Sequence, residues 1–257
     1  DVINYVGRCI KCTERKNRHW SFTVPGMARN PALYPMHTIA IDYVGPLPLS
    51  GTEKFKYVMV IVDQHSRFTI CVPVKNKSAA TAAQVLIREV FTKYGFPENV
   101  LSDNDAAYVA DLTKCIFNWS DIHHITTSVY HPQANGYVER FNGGLKTIIS
   151  MYCNNRTNDW HNFVYFVPLC YNSAIHPVTG YTPFKVFLGR EARLPCDLFI
   201  GPLKAYQEDL PGADYVSELE IQIKDINDLV NHRWEKDGEK YVTKTLKGKI
   251  LNFKKGD

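Results

Sequence analysis

The chain has 257 residues, of which 45% are hydrophobic, 22% charged and 12% aromatic, and its 30 basic and 26 acidic side chains leave a formal net charge of +4. That composition belongs to a folded chain with room for one sizeable core and appendages, and it excludes a disordered tail. No apolar run approaches the roughly eighteen residues a membrane-spanning helix needs, and so mild a charge does not by itself announce a nucleic-acid partner.

In chain order, a basic stretch runs to about residue 30, and within it residues 8–18 set Arg8, Lys11, Arg15, Lys16 and Arg18 against Glu14. After Pro31 and Pro35 the character changes. His37 to Val44 reads as a strand closed by Gly45-Pro46, and Tyr57 to Val62 is an apolar, β-branched run expected to be covered on both faces. Phe68 to Val74 follows so soon that an antiparallel pairing with the second strand is expected. Ser78 can cap a helix over Ala79–Tyr94 whose stripe is Ala83, Leu86, Ile87, Val90 and Tyr94, stopped by Gly95 and Pro97. A short strand at Asn99–Ser102 leads to an amphipathic stretch around 105–118. A fifth strand lies within Ile122–Val129, and a long helix runs from Ala134 to Cys153.

Residues 160–200 read as further helix and loop. Val216, Leu219, Ile223, Ile226 and Val230 recur at helical spacing, predicting a helix over 215–234 that leads out of the core. The fold class is therefore α/β, a mixed sheet of five strands with flanking helices and a C-terminal helical extension. Residues 208–228 hold seven acids against Lys224. Residues 240–255 hold six lysines and no acid. Read alone, such runs are solvated faces, but two basic ends around a folded middle also suit a polyanion. The termini, Asp1-Val2-Ile3 without a signal-peptide pattern and Lys255-Gly256-Asp257, read as those of a segment from a longer polypeptide.

Cysteines number seven, and five of them (Cys71, Cys115, Cys153, Cys170, Cys196) are scattered without paired spacing, as reduced thiols of an intracellular protein would be. Cys9-Ile10-Lys11-Cys12 has the spacing of two ligands from one zinc knuckle; a redox or chance pair is the alternative.

Three acids stand at informative places. Asp42 is near the end of the first strand, Asp103 just past the fourth, and Glu139 one to two turns into the long helix. Each alone reads as a solvated or capping carboxylate. Converging, they are the hard oxygen ligands that Mg²⁺ or Mn²⁺ requires, and two such ions clamp the attacking and leaving oxygens of an in-line phosphoryl displacement. The run Tyr130 to Asn142 opens the helix through Pro132-Gln133-Ala134-Asn135-Gly136. Such a junction permits close backbone approach and leaves N–H donors for a phosphate. Lys146, seven residues after Glu139, returns to the same helix face.

These residues resemble the integrases of retroviruses and gypsy-type long-terminal-repeat retrotransposons. The resemblance rests on Asp42, Asp103 and then thirty-five intervening residues before Glu139, and on their neighbours: Ile41 to Pro48, Val62 to Phe68, Ser102-Asp103-Asn104, His131 to Gly136, and Glu139-Arg140. Tyr171 to His176 and Thr179 to Phe184 look like the region after the core in such elements. It covers about residues 5–200. The division it implies is 1–30 for the end of a zinc-binding domain and linker, 31–200 for the catalytic core, and 201–257 for a lysine-rich linker opening toward a small β-barrel.

The resemblance implies a ribonuclease-H-like core that processes the 3′ ends of element DNA and transfers them into target DNA. Asp42 would bridge two Mg²⁺ or Mn²⁺ ions, with Asp103 and Glu139 each holding one. Tyr130, Gln133 and Asn135 would line the loop beside the scissile end, and Lys146 would touch DNA. Cys9 and Cys12 would ligate Zn²⁺ with histidines of a longer parent, so that this chain by itself closes no four-coordinate zinc site. Partners would be double-stranded element-end and target DNA and further copies of the chain, in the host nucleus and not at a membrane. Asp63 reads as structural although it lies in a shared motif. One departure is Asp105, where the family usually has glycine. It either caps the following helix or perturbs the metal site, and it keeps open a second reading: an impaired or domesticated DNA-binding protein derived from such an enzyme. A cut-and-paste transposase on the same fold is argued against by the Ala134-Asn135-Gly136 and Thr179 to Phe184 motifs.

Overall fold

The computed structural model describes residues 32–103, 111–126, 136–152, 159–195, 197 and 212–247. Strands β1 (Thr38–Val44), β2 (Tyr57–Asp63) and β3 (Thr69–Val74) precede helix α1 (Ala79–Val85), which continues as a π-helical stretch, Leu86–Phe91, and a last turn, Thr92–Tyr94. Then come β4 (Asn99–Ser102), α2 (Asp111–Trp119), β5 (His123–Thr126), α3 (Gly136–Tyr152), α4 (Trp160–Phe163), α5 (Phe166–Asn172), α6 (Pro183–Leu188) and α7 (Gly212–Lys247). The five strands form one sheet in the order β3-β2-β1-β4-β5. β1 and β2, and β2 and β3, pair antiparallel, whereas β1–β4 and β4–β5 pair parallel.

Alternation along the strands sorts the core into two layers. Ile39, Ile41, Tyr43, Met59, Ile61 and Val100 pack with Val85, Leu86, Val90, Phe91 and Phe117, so α1 and α2 cover one face. Ala40, Val44, Val58, Val60, Val62 and Leu101 pack with Val138, Phe141, Leu145, Ile149 and Trp160, so α3 and α4 cover the other. This is why β2 is an unbroken apolar run: Val58 to Val62 are all buried, alternately on the two faces. Each such side chain contributes about 1.5–3 kcal/mol by leaving water.

Ser78 caps α1, its hydroxyl accepting from the Thr81 N–H at 3.2 Å. The expected stripe of α1 is corrected. Ile87 is 41% exposed, and Phe91 is buried in its place beside Leu86 and Val90. A π-helical turn closes on i→i+5 hydrogen bonds, so it brings Phe91 into line with Leu86, where a regular helix would have presented Ile87 and Tyr94. Asp63 is structural. Its buried carboxylate accepts the Met36 N–H at 2.9 Å, the Ser66 N–H at 2.7 Å and the Ser66 hydroxyl at 2.6 Å, which shapes the β2–β3 turn. On the outer edge of β3, Asn172 of α5 replaces a neighbouring strand. Its amide accepts from the Thr69 N–H and donates to the Thr69 carbonyl, both at 2.9 Å.

The expectation that the C-terminal helix leads out of the core is also corrected: the middle of α7 packs back onto it. Val230 is fully buried. Asn227 Oδ1 meets His65 Nε2 at 3.1 Å, Trp234 Nε1 donates to the His65 carbonyl at 3.0 Å, and Asn231 Nδ2 donates to the Leu33 carbonyl at 2.9 Å. Arg233 donates to the Thr179 carbonyl, and the Arg67 guanidinium lies 4.2 Å from the Trp234 ring centroid. Polar residues that look solvated in the sequence thus grip core carbonyls. At Gly180, whose φ of +67° disfavours a side chain, a Cβ would displace the Arg233 guanidinium. The motifs at 62–68 and 179–184 therefore meet around this helix. Among the described residues, no helix is long and apolar enough to cross a membrane.

Candidate active site

Strand parity and register bring the first two acids together. Ala40 and Leu101 are partners on the β1–β4 ladder and point to the face that carries α3. Two residues on, Asp42 and Asp103 share that parity, one step past the last registered pair, Ile41 and Ser102. They lie where parallel strands present their carboxyl ends, the usual place for a site in such sheets.

Asp42 is held from two sides. Its Oδ1 accepts the Tyr43 N–H and its Oδ2 accepts from Asn142 Nδ2, each at 2.7 Å. Burial nevertheless pushes its carboxyl up to about 6, and the Asp103 charge pushes the same way. The Tyr43 N–H, the Asn142 amide and the Lys77 ammonium pull against that rise. A half-buried carboxylate raised in part by a second acid beside it is a poor arrangement for a bare protein and a good one for a cation.

Asn142 also fixes the relation of α3 to the acids. Val138, Phe141, Leu145 and Ile149 bury the helix against the sheet, and Asn142 reaches Asp42 from the same side. Position 139 is one turn before Asn142, so the backbone sets Glu139 on the helix near the acid pair; the described residues include its backbone and not its side chain. Lys146 stands two turns further along α3, exposed. Cys9, Cys12, Asp105, Tyr130, Gln133 and Asn135 lie outside the described residues.

Among the described residues, no group of three or more His, Cys, Asp or Glu side chains stands ready for a metal. The donors that are described nonetheless fit a hard divalent ion. Two carboxylates adjoin, and the buried Asn142 Oδ1 has no hydrogen-bond partner. Asn142 and Lys77 escape a search for acids alone. An asparagine inside a helix, where it is disfavoured, three residues after Glu139 was the available signal for the first. Lys77 carries no such mark in the sequence.

Residues 33–132 match the family model described as "Integrase core domain". The chain is 26% identical over 223 residues to the retrovirus-related Pol polyprotein from transposon 412 of Drosophila melanogaster, covering 85% of this chain and 18% of that polyprotein. It is 28% identical over 192 residues to the transposon Tf2-3 polyprotein of Schizosaccharomyces pombe, covering 72% of this chain and 14% of that one. The chain thus spans less than a fifth of the length of these relatives. In structure it is similar to a chain of the simian T-cell lymphotropic virus intasome solved with PP2A regulatory subunit B56 gamma. The TM-score is 0.56 at 23% identity, covering 82% of this chain and 71% of that one, which shows the ribonuclease-H-like fold. Residues 33–132 thus match an integrase core domain, on a sheet of the order found above, in a chain similar to retrotransposon polyproteins.

Proposed function

We propose that this chain is the catalytic part of a retroelement integrase, a metal-dependent polynucleotidyl transferase that processes the 3′ ends of element DNA and joins them to target DNA. The observation that carries this reading is the adjacency of Asp42 and Asp103 beneath α3, with Asn142 of that helix bonded to Asp42 one turn after Glu139. Asp42, Asp103 and Glu139 would hold two Mg²⁺ or Mn²⁺ ions, which when bound supply Lewis acidity toward the phosphoryl oxygens and a nucleophile of lowered pKa. The chain's own residues do the rest. Asn142 and the Tyr43 N–H orient the Asp42 carboxylate, and the apolar layer of Val138, Phe141 and Leu145 keeps the helix at a fixed height above the strand ends.

Exposed Lys146, with Tyr130, Gln133 and Asn135, would meet the DNA backbone, an attraction that falls steeply with added salt. The substrates would be double-stranded element ends and chromosomal DNA in the nucleus, with several copies of the chain acting together. Cys9 and Cys12 would complete a Zn²⁺ site only with ligands from a longer parent.

The test is incubation of the full-length parent with element-end duplexes and Mn²⁺, beside Asp42→Asn and Glu139→Gln. Shortened and joined products from the wild type alone support the reading. Equal products from all three, or none from any while duplex DNA is still bound, favour a DNA-binding derivative; restoring glycine at Asp105 then shows whether that residue is the cause.

A further inference from the structure

The described site holds a hydrogen-bonded chain that none of the roles above uses. It runs from β5 through the buried end of β4 to the backbone of Asp103. Ser102 Oγ lies 2.8 Å from the Asp103 carbonyl oxygen and 2.9 Å from His124 Nε2. A serine hydroxyl has one proton, and the carbonyl can only accept it. Nε2 of His124 is therefore the protonated ring nitrogen and donates to Ser102. Ser102 is fully buried, and the half-buried His124 ring lies 4.9 Å from that of Phe117, which fixes its plane. The β4–β5 register sets His124 opposite Val100, so the imidazole reaches one pleat along β4 to find the hydroxyl.

The position of this chain matters. The ladders from β4 to β1 and β5 end at Ser102, so the peptide after Asp103 is beyond the regular strand pairing. The Ser102 hydroxyl bonds the Asp103 carbonyl there, which restrains the backbone that carries the Asp103 carboxylate.

We propose that His124 is a positioning residue of the metal centre, acting through Ser102 to hold the Asp103 backbone where its carboxylate can share an ion with Asp42. This rests on the reading of Asp42 and Asp103 as ligands. Partners behind the ligands of a metal typically change its affinity by about 10–100-fold.

The experiment titrates Mn²⁺ into the full chain and follows the free ion by electron paramagnetic resonance. The variants are His124→Leu, His124→Gln, Ser102→Ala and Asp103→Asn, with metal-free melting curves to establish folding. Leucine fills the space of the ring without a donor, whereas glutamine carries an N–H near the place of Nε2. We expect affinity about tenfold weaker in His124→Leu and in Ser102→Ala, and within about twofold of wild type in His124→Gln. If His124→Leu is unfolded, Ser102→Ala carries the test. Wild-type affinity in a folded His124→Leu or Ser102→Ala, with binding lost in Asp103→Asn, overturns the inference and leaves the metal centre standing. Failure of His124→Gln to rescue a folded site also overturns it. Unchanged binding in Asp103→Asn removes the metal centre, and the inference with it.

Discussion

Replacing Asp42 by asparagine should make the metal-free protein more stable while abolishing its chemistry. Its carboxyl is raised from 3.8 to about 6, chiefly by burial and then by Asp103. The folded state therefore binds this proton more tightly than the unfolded state does. Stability from this group is greatest below about pH 4, is lost as pH rises through about 6, and is flat above. At 1.36 kcal/mol per pH unit, the penalty at pH 7.5 is about 3 kcal/mol, and at pH 5 it is about half that.

Asp42→Asn removes the penalty. The hydrogen bonds survive, because the introduced amide oxygen can accept the Tyr43 N–H. Asn142 can turn its amide to present Oδ1, which now has no partner, to the introduced N–H₂. Allowing for weaker neutral hydrogen bonds, a gain of about 1–3 kcal/mol is expected at pH 7.5. Urea unfolding in EDTA at pH 7.5 and pH 5, for both proteins, measures it. Added Mn²⁺ should then raise the midpoint of the wild type and leave that of Asp42→Asn unmoved. A variant less stable than wild type at pH 7.5 without metal, or an equal difference at both pH values, would refute the electrostatic reasoning.

Trp234→Ala should free the middle of α7 from the core, since it removes both the hydrogen bond to the His65 carbonyl and the partner of the Arg67 guanidinium. A cost of about 2 kcal/mol is expected. Hydrogen exchange should speed up over 219–240 and stay unchanged in β1 and β2; equal protection in α7 would contradict the docking. Gly180→Ala forces a side chain into a left-handed backbone and onto Arg233, so it should destabilise by about 1–3 kcal/mol. Part of that loss should return in the double variant with Arg233→Ala, and a double-mutant cycle of thermal unfolding checks the coupling. Gly143→Ala and Gly144→Ala sit on the open side of α3, where a Cβ meets nothing within 4 Å, and each should stabilise by about 1 kcal/mol in a thermal melt.

Much of this protein is legible in one dimension because the signals are local. The apolar, β-branched runs at 38–44 and 57–63 give strands, the Ser78 cap and Gly95 bound a helix, and the resemblance to integrases brings Asp42, Asp103 and Glu139 forward as a set. The sequence by itself determined that Asp42 stands near the end of one strand and Asp103 just past another; their matching parity came from the β1–β4 register.

Only the tertiary structure decided who stands beside them. Asn142 and His124 act across gaps of 100 and 22 residues, and no local periodicity encodes a partner at such range. The π-turn that buries Phe91 and exposes Ile87 arises from packing against the sheet, which overrides regular helical spacing. The C-terminal helix shows the same division. Its apolar repeat announces a helix, but its return to the core depends on Asn227, Asn231, Arg233 and Trp234 finding backbone carbonyls at Leu33, His65 and Thr179 and the ring of His65. Those groups are presented together only after the sheet has formed.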